Sequence, residues 1–120
     1  EDLFLDKRFF KYVKSNKNIL KLLDKYRDKC YIITKVGGIN NYKGKLDLMN
    51  KLGYGDIPII PLPLNVSKRI IDMSNGLFID DSVNNLIESN AGVKVLYKEY
   101  DNDTEWSRGW RGWTIQDRKE

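Results

Sequence analysis

Short apolar runs alternate with helix-like segments along this chain, and this alternation constrains the fold more than any other feature. The apolar, extended runs cover residues 30–34, 57–61, 76–80 and 92–97. Between them, apolar residues recur at the spacing of an amphipathic helix, most clearly in residues 16–28. Strands that alternate with helices over short connections predict an α/β domain with a mainly parallel sheet. Because crossovers between parallel strands are right-handed, helices should cover both faces in a three-layer, Rossmann-like arrangement.

Local patterns predict where individual elements begin and end. Helices are predicted over residues 16–28, 45–52, 67–73 and 82–89, and Gly53 is expected to end the second as its C′ residue. Residues 36–41 have the composition of a loop. The run at residues 57–61 is predicted at a sheet edge, because its prolines donate no ladder hydrogen bond. Residues 1–100 are predicted to form the core, and residues 101–120 an irregular, Trp/Arg-rich tail.

Composition restricts the chemistry that the chain can perform. It has no histidine and one cysteine, Cys30, which excludes imidazole catalysis, Cys/His zinc sites and an internal disulfide. Catalysis must therefore rest on carboxylates, lysines and a hard metal ion, and a reducing, cytoplasmic setting fits best. We expect neither a secretory leader nor a membrane association, because no apolar stretch approaches the roughly 20 residues of a membrane span.

The basic excess does not by itself indicate a nucleic-acid-binding protein. Lysines and arginines outnumber acidic residues by 21 to 17, and residues 1–60 carry the excess. Their lysines recur at helical spacing opposite apolar residues, so solvated helix faces are favoured over a phosphate-binding patch. Near the C-terminus, Trp106, Trp110 and Trp113 alternate with Arg108 and Arg111, a pattern that suits base stacking. Packing of these aromatic residues back onto the domain is the favoured interpretation.

Three polar features stand at predicted strand ends or helix starts: Thr34, Lys68 and the pair Asp80-Asp81. In open α/β sheets, ligands bind at the carboxyl ends of the strands, so these side chains are expected to meet. Two adjacent carboxylates suit Mg²⁺, and a lysine with a threonine hydroxyl suits phosphoryl oxygens. Taken singly, each feature also has a structural interpretation: Thr34 as an ordinary strand end, Lys68 as a surface lysine, and the acidic pair as a turn or N-cap before residues 82–89.

The order of these features along the chain resembles that of the motifs in the haloacid dehalogenase-like superfamily of phosphotransferases, and most closely that in its 5′(3′)-deoxyribonucleotidase-type branch. The resemblance spans about residues 31–97. The second motif of the superfamily, a strand ending in Thr or Ser, matches residues 31–34. The Lys-x-x-x-Leu pattern of the helix that follows in this branch is roughly matched by residues 45–49. The third motif matches Lys68. The fourth motif, apolar residues followed by Asp-Asp, matches residues 77–81, with Asn84-Asn85 beyond it.

The resemblance implies a Mg²⁺-dependent phosphomonoesterase that hydrolyses a nucleoside monophosphate through an aspartyl-phosphate. Asp80 would ligate Mg²⁺, and Asp81 would orient a metal-bound water. The implied phosphate-binding residues are Thr34, Lys35 and Lys68, of which Thr34 and Lys68 would also act in catalysis, and Asn85 would complete the site. The expected partner is a phosphorylated small molecule, with a nucleotide favoured, and nucleic acid is not favoured.

The chain departs from the family at its first motif, Asp-x-Asp after a strand. The one candidate nucleophile is Asp6, where Arg8 replaces the second acid and cannot act as a base. We favour residues 1–15 as the return from a helical cap in the C-terminal part of a longer protein. The alternative is a degenerate first strand at residues 3–6 in an inactive relative that binds a protein or nucleic-acid partner.

The family places the nucleophile strand between the strands that end at Thr34 and Asp80. Without this strand, the facing backbone groups of its two neighbours would be unpaired, and each missing hydrogen bond costs about 1 kcal/mol or more. The summed cost is a large part of the free energy of unfolding of a domain. Three solutions are open: another segment or chain supplies the strand, residues 3–6 fill it, or the two flanking strands pair directly.

Overall fold

The computed structural model describes residues 1–6, 8, 17–98 and 109–116. The strands of this part of the chain are β1 (Asp2–Asp6), β2 (Cys30–Val36), β3 (Ile59–Pro63), β4 (Gly76–Asp80), β5 (Val93–Lys98) and β6 (Trp113–Gln116). The helices are α1 (Lys17–Tyr26), α2 (Ile39–Lys51) and α3 (Val83–Glu88), with 3-10 turns at Arg27–Lys29 and Lys68–Ile70. All strand pairs are parallel, in the order β3-β2-β1-β4-β5-β6, which confirms an α/β, Rossmann-like sheet.

Helices cover both faces of the sheet, as right-handed crossovers require. From β1 the chain moves outward to β2 and β3, which puts α1 and α2 on one face, where Ile19, Leu23 and Met49 pack against the sheet. From β4 the chain moves the other way to β5, and α3 covers the opposite face through Leu86. The direction of winding therefore changes between β1 and β4, and the topological switch point lies at their carboxyl ends.

The central position of the sheet belongs to β1, which corrects the favoured interpretation of the N-terminus. β1 pairs in parallel with β2 on one side and β4 on the other, with Leu5 opposite both Ile32 and Ile79. Its three middle residues are buried because both faces of a central parallel strand are covered. The prediction of a return from a cap is therefore wrong for residues 2–6, and no other segment or chain is needed at this position. Residues 9–15 lie outside the described residues.

Most of the predicted elements are confirmed, and two are corrected. β2 extends to Val36 and helix α2 begins at Ile39, so the predicted loop is wrong for residues 36 and 39–41. Asn41 Oδ1 accepts the Gly37 amide and stabilises the first turn. Gly53 follows the helix at a φ of 84°, as expected of a C′ residue. The helix predicted over residues 67–73 shrinks to a 3-10 turn, because the backbone is already extended at Ile71. β3 contacts β2 alone, as an edge strand should.

The predicted irregular tail contains a strand. Residues 113–116 form β6, which pairs in parallel with β5 and extends the sheet, so the prediction is wrong for this part. Trp110 packs onto the hydrophobic cluster beside α3, which confirms for this residue the prediction that the tail aromatics pack onto the domain. Its indole N–H donates to the Trp113 carbonyl at 2.9 Å. Trp113 itself is 74% exposed. Residues 101–108 and 117–120, including Trp106 and Arg108, lie outside the described residues.

Among the described residues, no helix combines the length and the apolar character needed to cross a bilayer.

The central placement of β1 predicts that Leu5→Ala strongly destabilises the protein. Leu5 is 0% exposed, and truncation of a buried leucine leaves a cavity that costs roughly 2–5 kcal/mol. Leu48→Ala is the matched control, since Leu48 is 54% exposed on α2 and its truncation should change stability by less than about 0.5 kcal/mol. Urea unfolding of both variants measures the difference. Equal costs would show that β1 does not occupy the core.

Candidate functional site

The predicted polar residues meet at the switch point of the sheet. A cavity of about 390 Å³ opens at the carboxyl ends of β1, β2 and β4. Its lining consists of Asp6, Arg8, Thr34, Lys35, Leu64, Lys68, Asp81, Ser82 and Asn85. Residues separated by up to 79 positions in the chain thus share one wall, because parallel strands present their ends at the same edge of a sheet.

Lys68 lies at the floor of this cavity and is buried, not on the surface. The residue is 2% exposed, and its ammonium donates to Asp6 Oδ2 at 2.8 Å and to Asp80 Oδ2 at 2.9 Å. The 3-10 turn that follows Ser67 brings the side chain inward, and Ser67 Oγ caps the turn by accepting the Arg69 amide. A buried ammonium is tolerated only with charged partners, and Lys68 has two of them.

Asp80 lies beneath the cavity wall with its carboxylate fully engaged. The residue is 1% exposed; Oδ1 accepts the Ser82 amide at 2.8 Å, and Oδ2 accepts both Lys68 and the Asn85 side-chain amide, the latter at 3.2 Å. Ser82 caps α3 by accepting the Asn85 backbone amide. Asp80 therefore joins the buried lysine to the start of α3, and the helix start orients Asn85 towards the site.

Asp6 and Asp81 bring two more carboxylates to the same place. The Arg8 amide donates to Asp6 Oδ1 at 2.8 Å, so both oxygens of Asp6 are oriented, one by the backbone and one by Lys68. The Arg8 guanidinium reaches Asp81 Oδ2 at 2.5 Å. In the sequence, Arg8 stood out only as a residue unable to serve as a base. The structure makes it part of the site, through an ion pair that bridges 73 positions of the chain and that sequence spacing does not reveal.

Thr34 supplies a buried hydroxyl at the end of β2. The residue is 2% exposed, and its Oγ1 accepts the Lys45 ammonium at 2.9 Å, while that ammonium also donates to the Lys35 carbonyl at 2.7 Å. Sequence reasoning placed Lys45 in a motif but gave it no role. The predicted helix start at Lys45 gave no signal for this contact; because α2 begins at Ile39, Lys45 lies within reach of the end of β2. Lys35 lines the cavity as predicted.

The electrostatics of the site are dominated by the burial of Asp80 and Lys68. Burial raises the pKa of Asp80 from 3.8 to about 7; Lys68 opposes this rise, and the neighbouring Asp6 adds to it. Burial alone would lower the pKa of Lys68, but the attraction of Asp80 and Asp6 outweighs it and raises this pKa above its ordinary value. One ammonium shared by two carboxylates thus stays charged, while the more deeply buried carboxylate holds its proton more tightly than usual.

The three carboxylates have the donor chemistry of a hard-cation site. Asp6, Asp80 and Asp81 each offer an oxygen, and these oxygens lie within 4.8 Å of one another. Carboxylate oxygens are the ligands that Mg²⁺ prefers, together with water and substrate phosphate. Lys68 and Arg8 balance two of the three negative charges, so the three carboxylates and their two cationic partners carry one net negative charge. The residues therefore fit Mg²⁺, with Asp6 as a third candidate ligand besides the predicted Asp80 and Asp81.

Comparisons with protein-family models, with curated proteins and with solved structures found no match. The chemistry of the site is accordingly argued from the residues of this chain.

The buried ion pairs predict that Lys68→Met destabilises the protein, and by more at pH 8 than at pH 5. Removing one partner of a buried pair costs roughly 3–5 kcal/mol, because a buried charge loses its compensation. At pH 5 protonation of Asp80 relieves that cost. In the wild type, Asp80 binds its proton more tightly when folded, so its contribution to the free energy of unfolding declines as the pH rises from 3.8 to about 7.

Urea unfolding at both pH values measures this effect, with Arg69→Met as the matched control. Arg69 is the exposed neighbour of Lys68, and its change should have an effect below about 0.5 kcal/mol at either pH. A loss of stability for Lys68→Met that is small, or the same at both pH values, would contradict the described ion pairs.

Proposed function

We propose that this chain is a Mg²⁺-dependent phosphomonoesterase of the haloacid dehalogenase-like type, with Asp6 as its nucleophile. One observation carries the proposal: Asp6, Thr34, Lys68 and Asp81 line one cavity from four separate segments, and Asp80 lies directly beneath it in contact with Lys68. Carboxylates, an ammonium and a hydroxyl in one pocket are the groups that phosphoryl transfer needs.

The roles of the residues follow from their contacts. A carboxylate oxygen of Asp6 attacks the phosphorus and forms an aspartyl-phosphate, which splits one difficult displacement into two easier ones. Lys68, 2.8 Å from Asp6, neutralises charge on the transferring phosphoryl group. The Thr34 hydroxyl donates to a phosphoryl oxygen, and Lys45 holds that hydroxyl in place at 2.9 Å. Water then attacks the phosphorus of the intermediate and restores the Asp6 carboxylate.

Asp6, Asp80 and Asp81 would hold the metal ion. In that place, Mg²⁺ would supply positive charge for the phosphoryl oxygens. Asp80 also positions Lys68, and Asn85 supports Asp80. Asp80 is fully buried and Asp81 is partly exposed, so Asp80 would contribute an oxygen from beneath the cavity and Asp81 one from its wall.

The sheet order supports assignment to this superfamily. A nucleophile strand between the strands that carry Thr34 and Asp80 is what the resemblance implies, and β1 lies between β2 and β4. A phosphorylated small molecule is the substrate class in this proposal, and the nucleoside monophosphate implied by the resemblance stays a prediction. So does a cytoplasmic setting, which is consistent with Cys30 as a buried, free thiol.

A non-catalytic module that binds a protein or nucleic-acid partner is the second candidate function. The observation that favours it is Arg8, which occupies the position of the missing acid and cannot exchange a proton at neutral pH. The assay that follows decides between the two candidates.

The proposal predicts that Asp6→Asn abolishes Mg²⁺-dependent phosphate release. Loss of the nucleophile should lower kcat by a factor on the order of 10⁴ or more. Phosphate release from p-nitrophenyl phosphate and from a deoxynucleoside monophosphate measures it. Asp47→Asn, a change at an exposed carboxylate of α2, should leave the rate unchanged. A wild-type protein without Mg²⁺-dependent release, or an Asp6→Asn variant as active as the wild type, would favour the non-catalytic module.

Metal binding is tested separately, through thermal unfolding. Mg²⁺ at 100 times its Kd should stabilise the protein by about 2.7 kcal/mol and raise its Tm. The rise in Tm should be larger at pH 8 than at pH 6, because below a pKa of about 7 Asp80 must first release a proton. Asp81→Asn should reduce the rise, and Asp47→Asn should preserve it. An equal rise in both variants would place the ion outside the acidic cluster.

A further inference from the structure

The mouth of the cavity decides which leaving groups the site can accept. In an in-line displacement the leaving group lies opposite the attacking oxygen, so it points away from Asp6 on the floor. The mouth is the exposed side of the cavity, where the Arg8 side chain is 57% exposed and Leu64 is exposed as well. A leaving group that departs from Asp6 therefore meets Arg8 and Leu64 on its way out, and Lys35 lines the same cavity.

Among the described residues that line the cavity, no side chain is suited to give a leaving oxygen its proton at neutral pH. Arg8 presents a guanidinium, which does not lose its proton at neutral pH, and Lys35 an ammonium, while Ser82 and Asn85 carry only a neutral hydroxyl and a neutral amide. Asp81 is the carboxylate in contact with Arg8 at the mouth, and its Oδ2 already accepts the Arg8 guanidinium at 2.5 Å.

Asp80 does not fill this gap. Its carboxylate is 1% exposed, it is absent from the cavity lining, and its oxygens already accept from Lys68, Ser82 and Asn85. The chain has no histidine to take the role. A general acid typically accelerates such a step by roughly 10²–10⁴-fold, and this cavity offers the cationic Arg8 in its place.

We infer that the site acts on phosphoryl compounds whose leaving group departs as a stable anion, namely acyl phosphates and phosphoanhydrides, in preference to alkyl phosphate esters. This inference rests on the proposed function and specifies its substrate class. It departs from the nucleoside monophosphate implied by the family resemblance, because the alkoxide that such an ester releases requires a proton.

The first step balances without a proton donor. A carboxylate oxygen of Asp6 forms a bond to phosphorus, and the bond from phosphorus to the leaving oxygen breaks with its electron pair. The leaving group departs as a carboxylate from an acyl phosphate, or as a phosphate from an anhydride. Arg8 and Lys35 stabilise that anion by their charge. In the second step, water adds to phosphorus, Asp6 leaves as a carboxylate, and the proton passes to solvent.

The test compares kcat/KM for acetyl phosphate, for a series of aryl phosphates of increasing phenol pKa, and for a deoxynucleoside monophosphate. The ratio kcat/KM reports the step that expels the leaving group, even if hydrolysis of the aspartyl-phosphate limits kcat. For the wild type we expect kcat/KM to fall steeply as the phenol pKa rises. Arg8→Asp, which introduces a carboxylic acid at the mouth, should flatten this dependence and raise kcat/KM for the monophosphate by roughly 10²–10⁴-fold.

Arg8→Ala is the matched control, because it removes the guanidinium without adding an acid. It should keep the steep dependence, which separates the gain of an acid from the loss of Arg8. A wild type that hydrolyses the monophosphate as readily as acetyl phosphate would overturn the inference and leave the proposed phosphatase standing. Failure to release phosphate from any of these compounds would instead remove the proposed function, and the inference with it.

Discussion

One buried ammonium holds this site together. Lys68 reaches Asp6 at the end of β1 and Asp80 at the end of β4 over 2.8 and 2.9 Å, in a place where water is nearly excluded. Neither carboxylate would be stable so close to the other without it, and the lysine would not be stable there without them. The same three groups join two strands and a 3-10 turn, so the electrostatics of the site and the stability of this end of the sheet depend on each other.

The central strand makes that arrangement possible. Because β1 lies between β2 and β4, Asp6 emerges between Thr34 and Asp80, at the point where the direction of winding changes. Leu3 and Leu5 are buried on the face that α1 and α2 cover, and Phe4 packs in the opposite cluster with Leu86 of α3, so packing on both faces fixes the position of the strand end. A carboxylate placed in this way is oriented before any ligand arrives, which is the condition under which electrostatic stabilisation is most effective.

Much of this could be predicted from the sequence, and the failures have physical causes. The alternation of apolar runs and helical segments predicted the parallel sheet, and strand ends predicted that Thr34, Lys68 and Asp80 would meet. The favoured role of residues 2–6, a return from a cap, was wrong, and the alternative of a strand at residues 3–6 is the one that the sheet shows. A run of three apolar residues carries no signal that distinguishes a central strand from another buried segment.

The contacts of Lys45 with Thr34 and of Arg8 with Asp81 were not predicted either. Both depend on the reach of long side chains across a cavity, and spacing along the chain does not encode that reach. β6 was missed for a related reason: its four residues pair only after β5 provides an edge, so tertiary context decides their conformation.

The central claim is that the convergence at the switch point makes Asp6 a phosphoryl acceptor. The most direct measurement is tandem mass spectrometry of the protein after mixing with acetyl phosphate and Mg²⁺ and rapid quenching in acid. The account predicts one acid-stabilised phosphoryl group per chain, located on Asp6. A protein that remains unmodified, or that carries the phosphoryl group on another residue, would contradict it.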